Sequence, residues 1–594
     1  MKKEFRFFAW LNVFIVALFV ILVISQSNKK FVLDEIDFPA VATTISKTGL
    51  PYEYRGEKEK RALGLWHPPL YAYSLGAFVK VFGSNENTVR AFGMSCTLIS
   101  AILCILIYKV LFQATWRLIN KFTAVFLPLF LLHPYTIANT TLPDIDSTIL
   151  PVTILIFIYG LIRSSVSGNN NEPIEWSLKK TIFMSLLFSI NLWAKLTTPL
   201  VLIPLLSAIL YVRGLKLVKS LIVGINVAFL GGAFFLITYG LYCYLLTLPF
   251  DYTFKFLISS FTKNAAAGGA ISEKLAGIIN HFTYTKYFMN WLGLPFVFAL
   301  TLACGSLLFK KNISKNETVL LTLAGLGFFV TIFYLGLTGA FGGFFKYPYA
   351  TFPILMLVIA YFIQSSLFIK KFDSCSVKLI HQNIITEIKH NKIIVLLVMT
   401  IALPLLSYEL IMVKDIVILK GNPVSFLNIS IVMIAALLLS LYIARSKQNL
   451  LIAYGAAILF AVVVVTQFAV SRSQSVALYP TKYHYGQLGL DEAIWYLKSK
   501  LAPNEPIWCM KDIGHYVSSK YIENYGSIFK SQAQIEHDLD INIKNNGVRY
   551  LVLTTGIGQD RVDAYPELRL AMEACCTVDQ IFGNFIIYKA KHHE

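Results

Sequence analysis

MKKEFRFFAWLNVFIVALFVILVISQSNKKFVLDEIDFPA, residues 1–40, holds the chain's first decision. Lys2, Lys3 and Arg6 precede about 20 apolar residues, enough to cross a hydrocarbon core of about 30 Å. A cleaved signal peptide would have a shorter apolar region and a small-residue cleavage site. Residues 7–26 therefore read as a retained membrane span with its N-terminus inside. Directly beyond it come Asp34, Glu35 and Asp37, a crowd of carboxylates in a chain that has few.

The rest of the composition agrees. Of 594 residues, 56% are hydrophobic and only 14% charged, with a mean hydropathy of +0.63. A soluble chain carries about 25% charged residues. The net charge of +19 fits the enrichment of Lys and Arg in cytoplasmic loops and excludes nucleic-acid binding as the reason for it. Further apolar runs fall near 92–112, 122–138, 148–162, 181–194, 199–212, 220–247, 289–308, 318–338, 350–369, 393–413, 424–443 and 450–469. The chain is expected to be an all-α polytopic membrane protein of about 13 spans. With the N-terminus inside, the cytoplasmic loops carry 22 Lys and Arg and the short outer loops 8, which supports this orientation. After residue 470 the pattern changes. LDEAIWYLKSKLA and YPELRLAMEACC read as amphipathic helices, EPIWCM and VRYLVLTT as short strands. The expected organisation is a transmembrane domain, 1–470, with a first outer loop 27–91, and a small extracytoplasmic α/β domain, 471–594.

This topology puts the unusual polar residues on one side. Asp34, Glu35 and Asp37 follow span 1; His67 lies in LWHPPLYAYSLG; Asp144 and Asp146 lie in TLPDIDSTIL. Lys195 ends a span in NLWAKLTTP, and Lys346 with Tyr347 opens another in GGFFKYPYATFP. Ionisable groups at a membrane boundary are costly unless paired or hydrated, so their clustering marks a candidate site. Competing readings stand beside this one. The acidic residues could cap helices, the lysines could snorkel to headgroups, and His67 could bond only to backbone. As a site, the set suits transfer from an anionic donor held at the bilayer surface. Lys195 and Lys346 would hold phosphate or pyrophosphate. A carboxylate would act as general base. The second acidic site would orient the acceptor or bind a divalent cation, Mg or Mn, through oxygen ligands. The scarcity of outer-face histidines and thiolates argues against a zinc hydrolase.

LDEIDF, then HPPLYAYSLGAFVKVFGSNENTVRAFG, then PDIDSTIL resemble the GT-C glycosyltransferases. The nearest likeness is to bacterial family 39 enzymes, which include protein O-mannosyltransferases and the aminoarabinose transferase that modifies lipid A. HPPLY followed by Lys80, Gly83 and Arg90 is its most specific part. The resemblance implies a polyprenyl-phosphate sugar donor, an inverting single displacement and a non-cytoplasmic active site, on the outer face of the cytoplasmic membrane. It places the catalytic aspartate at Asp34 with Glu35 beside it, and the second acidic site at Asp144 or Asp146. It assigns donor phosphate to Lys346, Tyr347 and Lys195, and loop support to His67 and Arg90. The implied partners are the donor, membrane lipids and a glycan, lipid or protein acceptor. The protein mannosyltransferases carry a histidine where this chain has Asp37, and their MIR domain has no counterpart, which weakens the case for a protein acceptor. Loop 249–288, with Gly268 and Gly269, is expected to order over bound donor. Alternative readings are a flippase of lipid-linked sugars, which would place charges in mid-span and show related halves, an oligosaccharide ligase using a pyrophosphate-linked donor, and a non-catalytic scaffold. Cys509 is expected to pair with Cys575 or Cys576 or to stay a buried thiol.

Overall fold

A computed structural model describes residues 2–27, 30–31, 34–54, 61–165, 175–266, 313–336, 346–367, 489–518, 520–524, 531–555, 562–563 and 565–591. The expected spans near 289–308, 393–413, 424–443 and 450–469 lie outside these residues, as do 267–288 of the glycine-bearing loop. The chain is mostly helical and forms two compact units. One comprises Met1–Ser25 with Arg90–Ser475, the other Gln26–Val89 with Val476–Glu594. The loop expected inside a 1–470 domain thus packs with the C-terminal residues.

In the first unit, α1 (Lys2–Ser27), α4 (Glu86–Phe112) and α10 (Leu217–Leu245) are long and apolar enough to cross a membrane. So is the segment Tyr347–Ser365, in which a 3-10 turn runs into α13 (Phe352–Leu367). Between them lie α5 (Trp116–Leu131), α6 (Pro134–Thr141), α7 (Ile149–Ser165), α8 (Leu178–Ala194) and α9 (Leu202–Val212), followed after α10 by α11 (Tyr252–Ala266) and α12 (Lys315–Gly336). The run 122–138, expected as one span, is broken: α5 and α6 meet at 65°. The cause is the dipeptide His133-Pro134. Proline disfavours helical backbone at the residue before it, and His133 is extended, with φ −68° and ψ 132°. Its Nδ1 accepts a hydrogen bond from the Tyr135 amide at 3.1 Å, capping the new helix. A neutral histidine nitrogen can fill this role because the first amides of a helix lack internal partners.

Three contacts fix the far end of α6 against α4. The Arg90 Nε donates to the Thr141 carbonyl at 3.0 Å, and the Thr97 and Thr140 hydroxyls bond at 2.9 Å. Gly93 supplies the third, since a Cβ there would collide with the Thr140 carbonyl oxygen. Only glycine lets the two backbones approach so closely.

In the second unit, α2 (Asp34–Thr48) opens with Asp34 and Glu35. It packs on α3 (Leu70–Phe82) through Val41, Ile45 and Ala72, with β1 (Tyr52–Tyr54) and β2 (Arg61–Leu63) forming a hairpin between them. The C-terminal residues add a five-stranded sheet. It is built from β3 (Ile507–Cys509), β4 (Tyr521–Glu523), β5 (Tyr550–Thr554), β6 (Cys576–Phe582) and β7 (Phe585–Ala590), in the order β4-β3-β5-β7-β6. The first three strands are parallel and the last two join antiparallel. On one face lie α14 (Leu490–Lys500) and α15 (Lys511–Val517), on the other α16 (Gln532–Lys544) and α17 (Pro566–Cys575). Strand alternation sends Tyr550 and Val552 to the first core and Leu551 and Leu553 to the second. Cys509 packs in the first core and Cys576 in the second, so the sheet separates them; Cys575 is half-buried and no disulfide joins the three.

Gly93→Ala is expected to push α6 off α4 and destabilise the protein by about 1–3 kcal/mol, the usual cost of overpacking. A lowered thermal midpoint for the purified protein in detergent would show it; an unchanged midpoint would mean the helices separate freely here.

Candidate active site

The TLPDIDS segment connects α6 to α7 as a chain of local hydrogen bonds. The Asp144 Oδ1 accepts the Asp146 amide at 2.9 Å, an Asx turn of the kind that short acidic side chains favour. Ser147 and Thr148 donate their hydroxyls to the Asp144 carbonyl. This turn holds two carboxylates, on either side of Ile145, and both are buried.

Each carboxylate meets its own ammonium. Lys346 Nζ lies 2.6 Å from Asp144 Oδ2. Lys195 Nζ lies 2.6 and 2.7 Å from the two oxygens of Asp146. Lys195 follows the last residue of α8 in extended backbone, and its amide still bonds to Asn191. Asn191 in turn donates to the Thr153 carbonyl at 3.1 Å, tying α8 to α7 and bringing Lys195 to the acidic loop. Lys346 stands just before the Tyr347–Thr351 turn. The Tyr347 ring lies 4.6 Å from the Lys195 ammonium and 5.7 Å from that of Lys346. A ring face attracts cations at such distances, so this one tyrosine serves both.

The two carboxyls titrate differently. Burial raises Asp144, but the Lys346 ammonium and its hydrogen bond outweigh that and hold it below the usual carboxylate range. Asp146 is pushed up to about 6 by burial, with the Asp144 charge adding to it and Lys195 only partly offsetting both. Two acids with divergent environments in one cluster are a common signature of functional sites.

The expected candidates separate into two groups. Asp144, Asp146, Lys195, Lys346 and Tyr347 come together in the first unit. Both members of the PDID pair take part, each with a different lysine. Arg90 is buried and braces α6. Asp34, Glu35 and His67 belong to the second unit. Asp34 and Glu35 open α2, Glu35 is buried, and His67 lies half-buried before α3. Asp37 is engaged by Lys511 at 2.8 Å. Sequence reading passed over Tyr135, which packs edge-on against Tyr349 at 5.4 Å and Phe352 at 4.9 Å. Its position beside the helix-breaking His133-Pro134 was the available signal.

The cluster matches a divalent cation poorly. Each carboxylate already holds an ammonium, and a dication would stand beside two like charges. Among the described residues no group of three or more His, Cys, Asp or Glu assembles.

No protein-family model and no curated protein match the chain. Solved structures do. The crystal structure of ArnT from Cupriavidus metallidurans bound to undecaprenyl phosphate is similar with a TM-score of 0.56 at 13% identity, covering 98% of each chain. The apo form of that protein gives 0.53 at 12% identity, covering 98% of this chain and 97% of the other. The likeness is one of fold: the chain is a multi-pass membrane protein of the GT-C fold.

Breaking one ion pair should strand a buried charge. Lys195→Met is expected to cost about 3–5 kcal/mol at neutral pH, and adding Asp146→Asn should recover most of it. Asp146 also fixes the sign of a pH effect. Its pKa in the folded protein is about 6, above the unfolded value of about 3.9. Its contribution is therefore full below the unfolded value and is lost as pH rises through about 6. Thermal stability from this group should increase from pH 7 to pH 5, and Asp146→Asn should abolish that slope.

Proposed function

We propose that this chain is a membrane glycosyltransferase that moves a sugar from a polyprenyl-phosphate donor to a lipid, polysaccharide or protein acceptor on the outer face of the cytoplasmic membrane. The observation that carries the reading is the buried pair of Asp–Lys contacts around Tyr347, in a fold similar to that of a protein crystallised with undecaprenyl phosphate.

An ammonium has three N–H donors and accepts more than one anion at once. Asp144 and Asp146 hold Lys346 and Lys195 in place while the lysines meet the phosphate oxygens of the donor. Asp34 takes the proton from an acceptor hydroxyl or amine. The acceptor's lone pair forms a bond to the anomeric carbon from the face opposite the lipid phosphate. The bond between that carbon and the phosphate oxygen breaks, and its electron pair leaves on the phosphate. The two ammoniums stabilise the charge that develops there. Inversion at the sugar follows from the single displacement. No step is routed through a metal.

Asp34 and Glu35 open α2; in this reading Asp34 is the base, and Glu35, which is buried, orients the acceptor. Family 39 membership, and aminoarabinose or mannose as the sugar, are the finer forms of the same reading.

Purified protein in membranes, tested against a panel of polyprenyl-phosphate sugars and pyrophosphate-linked counterparts, decides it. Asp34→Asn should lower turnover by about 10²–10⁴-fold, the range of a general base, without weakening donor binding. Lys346→Ala should raise the apparent KM for donor. Equal turnover in wild type and Asp34→Asn would remove Asp34 from the base role. Turnover only with pyrophosphate-linked donors would replace the proposed donor class.

A further inference from the structure

We infer that the C-terminal α/β domain positions the acidic start of α2, and that Lys511 and Tyr516 are the positioning residues. The inference rests on the reading of Asp34 as general base. One short helix, α15, reaches α2 from both sides of its first turn. The Tyr516 hydroxyl oxygen accepts the Phe31 amide at 2.6 Å, three residues before Asp34. Lys511 Nζ pairs with Asp37 Oδ1 at 2.8 Å, three residues after it. Both members of that pair are largely shielded, with 19% and 18% of their side chains exposed. The Lys30 ammonium lies 4.8 Å from the Tyr516 ring and 3.2 Å from Glu86 at the head of α4. Ser27 bonds to Asn87 at 2.7 Å. Phe31 and Asp37, on either side of Asp34 in sequence, are thus both held by residues of α15.

The helix itself shows why outside anchors are useful. Pro39 lies inside α2. Proline has no amide hydrogen to donate to the helix's internal bonds. The turn carrying Asp34 and Glu35 is therefore joined to the rest of the helix by one hydrogen bond fewer. The anchor is in turn rigid. Gly514, in the middle of α15, sits directly on the Tyr521 ring of β4, with no room for a Cβ. Ile513 and Val517 are buried in the sheet's first core. A group that must meet an acceptor proton within hydrogen-bond reach gains from such support, because a misplacement of about 1 Å can cost about 100-fold in rate.

The test uses the full-length protein in lipid nanodiscs. Lys511→Asp should lower kcat by about 10- to 100-fold with donor KM unchanged, since the lysines that meet donor are untouched. Lys511→Arg should retain activity. Combining Lys511→Asp with Asp37→Lys restores an ion pair of reversed polarity and should recover most of the loss. Tyr516→Phe removes the acceptor of the Phe31 amide and should lower kcat alone. In parallel, amide hydrogen exchange over residues 31–40 should accelerate in Lys511→Asp and Tyr516→Phe and return toward wild type in the swapped pair. Exchange unchanged in the single variants, or a swap no better than Lys511→Asp alone, overturns the inference. If wild type transfers no sugar from any donor, the transferase reading fails by itself, and the exchange measurements still decide whether α15 holds α2.

Discussion

Two carboxylates and two ammoniums, matched one to one in a buried cluster of the first unit, set the conditions for everything near them. No member of either pair could stand alone. A buried Asp144 or Asp146 without its lysine would leave an uncompensated charge, and so would either lysine without its aspartate. The elements that deliver these residues are constrained accordingly. The α5–α6 break, the Arg90 brace and the Gly93 contact fix one side. Asn191 fixes the end of α8. Tyr347 presents one ring to both cations. Much of the polar bonding in this region makes sense as the cost of holding a neutral quartet in an apolar protein.

The second unit solves a different problem. It holds a helix opening rich in acid, α2, with a proline that removes one of its internal hydrogen bonds, and the bonds that steady it come from a helix nearly five hundred residues later. The sheet of the C-terminal domain then serves less as a container than as a rigid mount. Its two cores lie on opposite faces, one backed by α14 and α15 and the other by α16 and α17.

Fold class was legible because apolar length and charge asymmetry depend only on local composition, and the first span, α4 and α10 are plain in the sequence. The strands IWC and YLVLT were legible as short apolar runs. The β6–β7 hairpin was not, because β6 is largely exposed and reads as polar. The α5–α6 break was hidden by an unbroken apolar run, although His133-Pro134 carried the rule that makes it. In the candidate site, the identity of the charged residues was readable, since ionisable groups stand out against an apolar background. Their pairing was not. Asp144 meets a lysine 202 residues away and Asp146 one 49 away, and neither register follows from spacing. The partner of Asp37, Lys511, lies on α15, an element whose range no motif in the sequence marked.

The separation between Asp144 and Lys346 also orders the protein's birth. A ribosome adding about 5–20 residues per second takes on the order of 10–40 s to reach Lys346 after Asp144. Lys195 arrives much sooner. The nascent chain therefore contains both members of the Asp146 pair early, while the partner of Asp144 is not yet made. The Asp144 pair is therefore the last to become possible, on arrival of the segment that carries Tyr347. Assembly of the quartet is a timed event, and the chain's length sets the clock.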